Sequence, residues 1–166
     1  MGYAKNHQTN ARQKRNHLHK RAYRPKPPFK AVEGVGSNAY KLLSRDAVWV
    51  LMKFYEEFNG YNRNNLKLPY REANISTLVF NRSIWELLGY GFIDLVKAGR
   101  LEKECSVYAL SNHWRKLSEK PEALKKIKEL LEEINVLKRQ PGGFEKRKNI
   151  RVKRKKILAL SKNGRL

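Results

Sequence analysis

Cysteine is almost absent from this chain. Cys105 is the single cysteine among 166 residues, which excludes an intramolecular disulfide and a Cys-rich zinc site and fits a reducing compartment. No apolar run approaches the ~20 residues that a membrane-spanning helix needs, and the basic N-terminus lacks the apolar core of a secretory signal. The sequence therefore predicts a soluble intracellular protein without a membrane partner, located in the cytoplasm or nucleoid, or in the nucleus of a eukaryote.

Signatures of catalysis are also missing. The sequence contains no glycine-rich phosphate loop, no Ser or Cys nucleophile with a placed base, and no cluster of metal ligands. The adjacent Glu56 and Glu57 do not face each other if they lie on a helix, so they do not form a catalytic pair. We therefore expect no enzymatic activity, no metal and no cofactor.

One short motif offers an alternative. His17-Leu18-His19 matches the His-hydrophobic-His signature of rolling-circle replication nucleases, and Tyr3 and Tyr23 lie nearby. Such a nuclease needs a buried strand to hold two metal-binding imidazoles, whereas the flanking residues are basic and show no alternating apolar pattern. We interpret the segment as part of a solvated basic arm.

Acidic residues are few relative to basic ones. The chain has 37 Lys and Arg against 15 Asp and Glu, a formal net charge of +22. Residues 1–30 hold nine bases and no acid, residues 138–166 hold 12 bases and one acid, and the residues between them hold 16 bases and 14 acids. A nearly neutral body between two basic ends predicts a polyanionic partner, with nucleic acid as the leading candidate.

Composition divides the chain into four parts. We expect a disordered basic arm at 1–28, a folded domain at 29–117, an amphipathic helix at 118–140 and a basic C-terminal tail at 141–166. The amphipathic helix begins at Pro121 and carries an apolar seam. This seam could pack on the domain or form a homodimer through residues 121–138. Within the tail, 157–160 could form a brief helix against a partner or DNA.

The stretch from Ser76 to Ile93 organises the folded domain. Ser76 is a suitable helix N-cap, and the following apolar residues recur at the spacing of a helix face packed on a core. These core residues are Phe80, Ile84, Leu87 and Leu88. Arg82 lies on the opposite side, flanked by Asn81 and Ser83. Gly89 and Gly91 favour a helix stop followed by a tight turn into a strand.

The flanking segments predict a particular order of elements. A helical turn at 37–43, a helix from Ser44 to about residue 58 and a short strand at 66–68 come first. Pro69 suits the first turn of a helix running through Ala73, which would precede the helix at Ser76. After that helix, residues 92–96 and 101–110 predict a hairpin with a basic tip at 97–100. The predicted fold class is mainly α with a small antiparallel β wing.

These blocks resemble those of winged helix-turn-helix proteins of a bacterial and phage type over about residues 37–117. The resemblance rests on NGYN, the PYRE segment, NRSIWELLGYGFI and YALSNHW. In that family the residues matching Asn81 and Arg82 point into the DNA major groove. Leu78 and Trp85 depart from a purely polar outer face, so they would either touch thymine methyls or sugars, or pack under an arm or the last helix.

The resemblance implies a double-stranded DNA-binding protein, a sequence-preferring transcriptional regulator. The helix at 76–89 would enter the major groove, and cations at the wing would contact phosphates. The expected DNA-binding residues are Arg71, Ser76, Thr77, Asn81, Arg82, Lys97, Arg100 and Lys103. A plasmid or phage replication initiator or accessory protein, and an RNA-binding or ribosome-associated basic protein, remain alternatives.

Overall fold

The computed structural model describes residues 32–99 and 105–163. They form six helices and a three-stranded antiparallel sheet, so the described fold is mainly helical with a small sheet, as predicted. The elements are α1 (Asn38–Lys41), α2 (Arg45–Glu57), β1 (Leu66–Lys67), α3 (Thr77–Gly89), β2 (Ile93–Lys97), β3 (Val107–Leu110), α4 (His113–Ser118), α5 (Pro121–Arg139) and α6 (Phe144–Asn163). The predicted arm at 1–28, its His17–His19 motif, Arg100 and Lys103 lie outside the described residues.

The main helices begin at residues with clear sequence signals. Ser44 caps α2, since its hydroxyl accepts a hydrogen bond from the Ala47 N–H at 3.2 Å. Ser76 caps α3 in the same way through the Val79 N–H at 3.3 Å. Pro121 occupies the first turn of α5, where its missing N–H leaves no hydrogen bond unmade. These three starts agree with the predictions.

The sheet joins the short early strand to the hairpin. Its strand order is β1-β3-β2, with Leu66 opposite Tyr108 and Ile93 opposite Leu110. The short strand predicted at 66–68 is therefore present at Leu66–Lys67, and it pairs with the hairpin. The register shifts between Leu95 and Lys97, so a bulge precedes the tip of the hairpin.

The helix predicted from Pro69 through Ala73 is wrong. Residues 70–74 form successive turns, with the Glu72 N–H bonded to the Pro69 carbonyl and the Asn74 N–H bonded to the Arg71 carbonyl. Asn74 then adopts a left-handed backbone with φ of 52°. The Ala73 carbonyl accepts a hydrogen bond from the Trp49 indole of α2 at 2.9 Å. A tertiary contact and a left-handed residue thus end the segment before a helix can form.

The C-terminal segment is a second correction. Instead of a brief helix at 157–160, α6 runs for 20 residues, and its Ile157 and Leu160 are buried in the protein core. The seam of α5 is buried in the same core, through Leu124, Ile127 and Ile134. This seam follows the predicted packing on the domain and is not exposed for a homodimer.

Helices α3, α5 and α6 meet at Gly89. A Cβ atom at that position would lie 3.1 Å from the Cγ2 atoms of both Ile127 and Ile157. This spacing is tighter than ordinary van der Waals contact, so the two helices approach the end of α3 where a side chain is missing. The junction fixes α6 beside α3, the helix that carries three of the eight predicted DNA-binding residues.

Candidate nucleic-acid interface

The two faces of α3 differ as the sequence predicts, with one exception. Phe80, Ile84, Leu87 and Leu88 are buried. Thr77, Leu78, Asn81 and Arg82 are exposed along the other face, and 71% of Leu78 is accessible to solvent. Ser83 was expected on the exposed side but is only 1% exposed. It lies three residues after Phe80 and four before Leu87, which places it on the packed face.

Arg71 lies close to the first turn of α3. Its Nε donates a hydrogen bond to the Tyr70 hydroxyl at 3.4 Å, and its guanidinium carbon lies 5.9 Å from the Tyr70 ring centroid. This hydrogen bond lowers the pKa of Tyr70, with the Arg71 charge and a smaller contribution from Thr77 acting in the same direction. Arg71 therefore contacts Tyr70, a residue that is not among the predicted DNA-binding residues.

Ser76 is the N-cap residue of α3. Its hydroxyl accepts the Val79 N–H, so this oxygen is engaged in the N-cap of α3. The residue is exposed, as is Thr77 beside it. Ser76 thus positions the first turn of the helix, and its place next to Thr77 brings it to the same end of the exposed face.

Arg82 is held by a buried acid. Its Nε donates to Glu86 Oε1 at 3.2 Å, and Glu86 Oε2 accepts the Ser44 N–H at 3.0 Å. Glu86 is buried, so this carboxylate joins the guanidinium of α3 to the start of α2. The i, i+4 spacing of Arg82 and Glu86 was a readable signal for this pair. The contact of Glu86 with Ser44 could not be predicted in this way, because the tertiary fold brings the two residues together.

Trp85 packs beneath the C-terminal helix, as one of the two sequence-based alternatives proposed. The guanidinium carbon of Arg154 in α6 lies 4.4 Å from the centroid of the Trp85 ring. Burial lowers the pKa of Arg154. The pKa of Lys138, at the end of α5, is lowered by burial and also by the charges of Arg154 and Arg82. Three cations from three helices are therefore close enough for their charges to interact, one of them over Trp85, and no sequence pattern indicates this proximity.

Lys97 lies apart from these residues. It is the last residue of β2 and is exposed, whereas the connection from α3 enters the strand at Ile93. Beyond it, the Gly99 N–H donates to the Ser106 hydroxyl at 3.0 Å, which links the two sides of the hairpin. The described residues thus place one predicted cation at the hairpin tip, while Arg100 and Lys103 fall in the segment that the structure does not describe.

Helix α6 adds a basic surface to the cations predicted at the wing. It carries nine Lys and Arg and one acid, Glu145. The outward face contains exposed cations at helical spacing. These are Lys148, Arg151, Lys155 and Lys162. They extend over about 21 Å of helix at 1.5 Å per residue, which is long enough to follow several phosphates of a duplex.

Comparison of the chain with protein-family models, curated proteins and solved structures gave no match. Among the residues that the structure describes, no helix is both long and apolar enough to cross a membrane. The same part of the chain brings no three His, Cys, Asp or Glu side chains together in a way that could hold a metal ion. The features available for a functional argument are therefore the exposed face of α3, its polar neighbours and the surrounding cations.

Proposed function

We propose that this protein binds double-stranded DNA with a sequence preference, and that it acts as a transcriptional regulator in the compartment that holds the DNA. Helix α3 enters the major groove. The observation that carries the proposal is the exposed side of α3, where Thr77, Asn81 and Arg82 lie opposite a fully packed core face. A rigid helix with polar, hydrogen-bonding residues on its free side is suited to contact base edges.

The order of elements supports the same proposal. A core helix, a short strand, helix α3 and a two-stranded hairpin follow one another, in the order that the winged-helix resemblance implies. The turns at 70–74 stand where the first helix of a helix-turn-helix would be. They still hold Arg71 against Tyr70 in the segment before α3, where this cation would contact a phosphate beside the groove.

Asn81 is the most suitable residue for reading a base. Its amide carries a donor and an acceptor, which match the N6 and N7 atoms of adenine, and it has no charge that would add unspecific attraction. The Nε of Arg82 is bonded to Glu86, which directs its side chain toward that carboxylate, while its terminal nitrogens can still donate to guanine. We therefore assign the base-reading role to Asn81, with Arg82 beside it as a second contact to the DNA.

The electrostatic part of the binding comes from the remaining cations. A net charge of +22 attracts any polyanion, and each phosphate contact releases a counterion. Binding to every sequence should therefore weaken steeply as salt rises. The cations of α6 and Lys97 contribute to this unspecific term, whereas α3 provides the preference between sequences.

The test is a selection from random duplex DNA by the full chain at ~0.15 M salt, followed by affinity measurements on the enriched site and on random duplex. Asn81→Ala should weaken binding to the enriched site by about 1–3 kcal/mol and leave random duplex unchanged. Asn149→Ala is the matched control, because Asn149 is also an exposed helical asparagine. It should change neither affinity.

Two results would contradict the proposal. If no sequence is enriched, or if Asn81→Ala and Asn149→Ala behave alike on the enriched site, α3 does not read bases. Stronger binding to structured RNA than to duplex DNA at equal salt would favour the RNA-binding alternative. The full chain is required because truncation after residue 137 would remove α6 and expose the core around Ile127.

A further inference from the structure

Three cationic side chains from different helices lie close enough for their charges to interact. Arg82 comes from α3, Lys138 from the end of α5, and Arg154 from α6. Arg154 lies over Trp85 within the range of a cation–π contact, at 4.4 Å from the ring centroid. Trp85 follows Arg82 by three residues, so both project from the same side of α3. Lys138 is near enough to both arginines for their charges to lower its pKa.

The cluster has too little negative charge to balance it. Glu86 is bonded to Arg82, but its second oxygen is already occupied by the Ser44 N–H. Within residues 32–99 and 105–163, neither Lys138 nor Arg154 forms an ion pair with an acid. In addition, the Arg154 Nε atom is buried and has no hydrogen-bond partner among the described residues.

Such an arrangement is unfavourable without a ligand. Like charges repel, partial burial removes hydration from Lys138 and Arg154, and an unpaired buried N–H loses the hydrogen bond that it would make with water. An anion with several acceptor oxygens offsets the charge repulsion and replaces lost hydration of Lys138 and Arg154 through their accessible N–H groups. Phosphate fits best, because its oxygens accept charge-assisted hydrogen bonds from guanidinium and ammonium groups together.

We infer that Arg82, Lys138 and Arg154 form a binding site for a phosphate group, which in the complex is a backbone phosphate of the DNA. The identity of the phosphate as part of DNA rests on the proposed function. Arg82 directly follows Asn81 in α3, so the site borders the base-reading face. A phosphate held there would fix how far α3 enters the groove and how it is rotated.

The experiment measures phosphate binding by the full chain without nucleic acid. Nuclear magnetic resonance follows the Arg154 Nε–H and Trp85 Nε1–H signals during titration with inorganic phosphate, and separately with chloride at equal ionic strength. Phosphate should give a saturable shift at both signals, and chloride should not. Lys138→Gln should weaken phosphate binding about tenfold, as expected for the loss of one charge-assisted contact. Lys125→Gln is the control for the same charge change, because Lys125 is an exposed lysine of the same helix.

The outcomes separate the site from the proposed function. Equal shifts with chloride, or equal losses in Lys138→Gln and Lys125→Gln, would overturn the phosphate site. A second titration uses a random duplex of about two helical turns, which should move the same signals and bind Lys138→Gln less tightly than Lys125→Gln. If phosphate binds specifically but no duplex does, the site belongs to a free phosphorylated ligand and the DNA assignment fails. If duplex binds and the two variants lose equally, DNA binding holds and the site is refuted.

Discussion

Replacement of Ile157 by Ala tests whether α6 is part of the folded core. Ile157 is 0% exposed, and its Cγ2 atom packs over Gly89 together with that of Ile127. Truncation of a buried isoleucine to alanine lowers the free energy of unfolding by about 2–5 kcal/mol, depending on how far the cavity can collapse. We expect the upper half of this range, because Gly89 has no side chain that could move into the space.

The measurement is urea denaturation followed by circular dichroism, at fixed ionic strength. Val152→Ala is the matched control, since Val152 is a β-branched residue of the same helix that is 46% exposed. Both changes alter helix propensity alike, so their difference reports burial. Val152→Ala should change stability by no more than about 0.5 kcal/mol. A loss below about 1 kcal/mol for Ile157→Ala, or a separate early transition for α6, would refute the packing of this helix on α3 and α5.

Two further predictions follow from particular contacts. Gly91 has φ of +76°, and an added Cβ would lie 2.8 Å from the Trp114 backbone nitrogen, whereas Gly36 has φ of +86° and open space around it. We expect Gly36→Ala to lower the free energy of unfolding by about 1–2 kcal/mol from backbone strain alone. Gly91→Ala should lower it by at least about 1 kcal/mol more, measured by thermal unfolding. Similar losses in the two variants would exclude a steric clash at Gly91. Burial raises the pKa of Tyr90 above its ordinary value of 10.0, and Glu86 and Glu132 add to the effect. Above about pH 10 the folded state therefore keeps the Tyr90 proton that the unfolded state releases. The contribution of Tyr90 to stability is complete below about pH 10 and is lost as the pH rises from there through the raised pKa of Tyr90. Tyr90→Phe should reduce the loss of stability between about pH 9.5 and 11 in urea titrations, and an unchanged pH dependence would contradict this assignment.

Local signals explain why much of the fold could be predicted. Ser44, Ser76 and Pro121 mark helix starts through interactions within a few residues, and the structure confirms all three. The prediction of a helix after Pro69 was wrong because the conformation of this segment depends on partners elsewhere in the chain. The Trp49 indole N–H donates a hydrogen bond to the Ala73 carbonyl, and no residue near Ala73 in the sequence indicates that contact.

The candidate site was predictable to the extent that helix periodicity determines it. The spacing of apolar residues identified Asn81 and Arg82 as exposed, although it wrongly placed the buried Ser83 beside them. The contact of Glu86 with the start of α2 could not be read in the same way, because its partner lies 42 positions away. Besides burial, the charges of Arg154 and Arg82, which belong to two other helices, lower the pKa of Lys138. Local patterns indicate which face of a helix is free, but they do not show which distant charges meet there.

The composition of α6 connects stability with binding. Only a few of its 20 residues are buried, and cations four positions apart, such as Arg147 with Arg151 and Arg151 with Lys155, repel each other along the exposed side. Core contacts at Ile157 and Leu160 must therefore offset the repulsion between the cations of this helix. A bound polyanion neutralises these charges and so stabilises the folded state by mass action. Because α6 packs on α3 at Gly89, neutralising its charge also strengthens the support of the helix that we propose reads DNA.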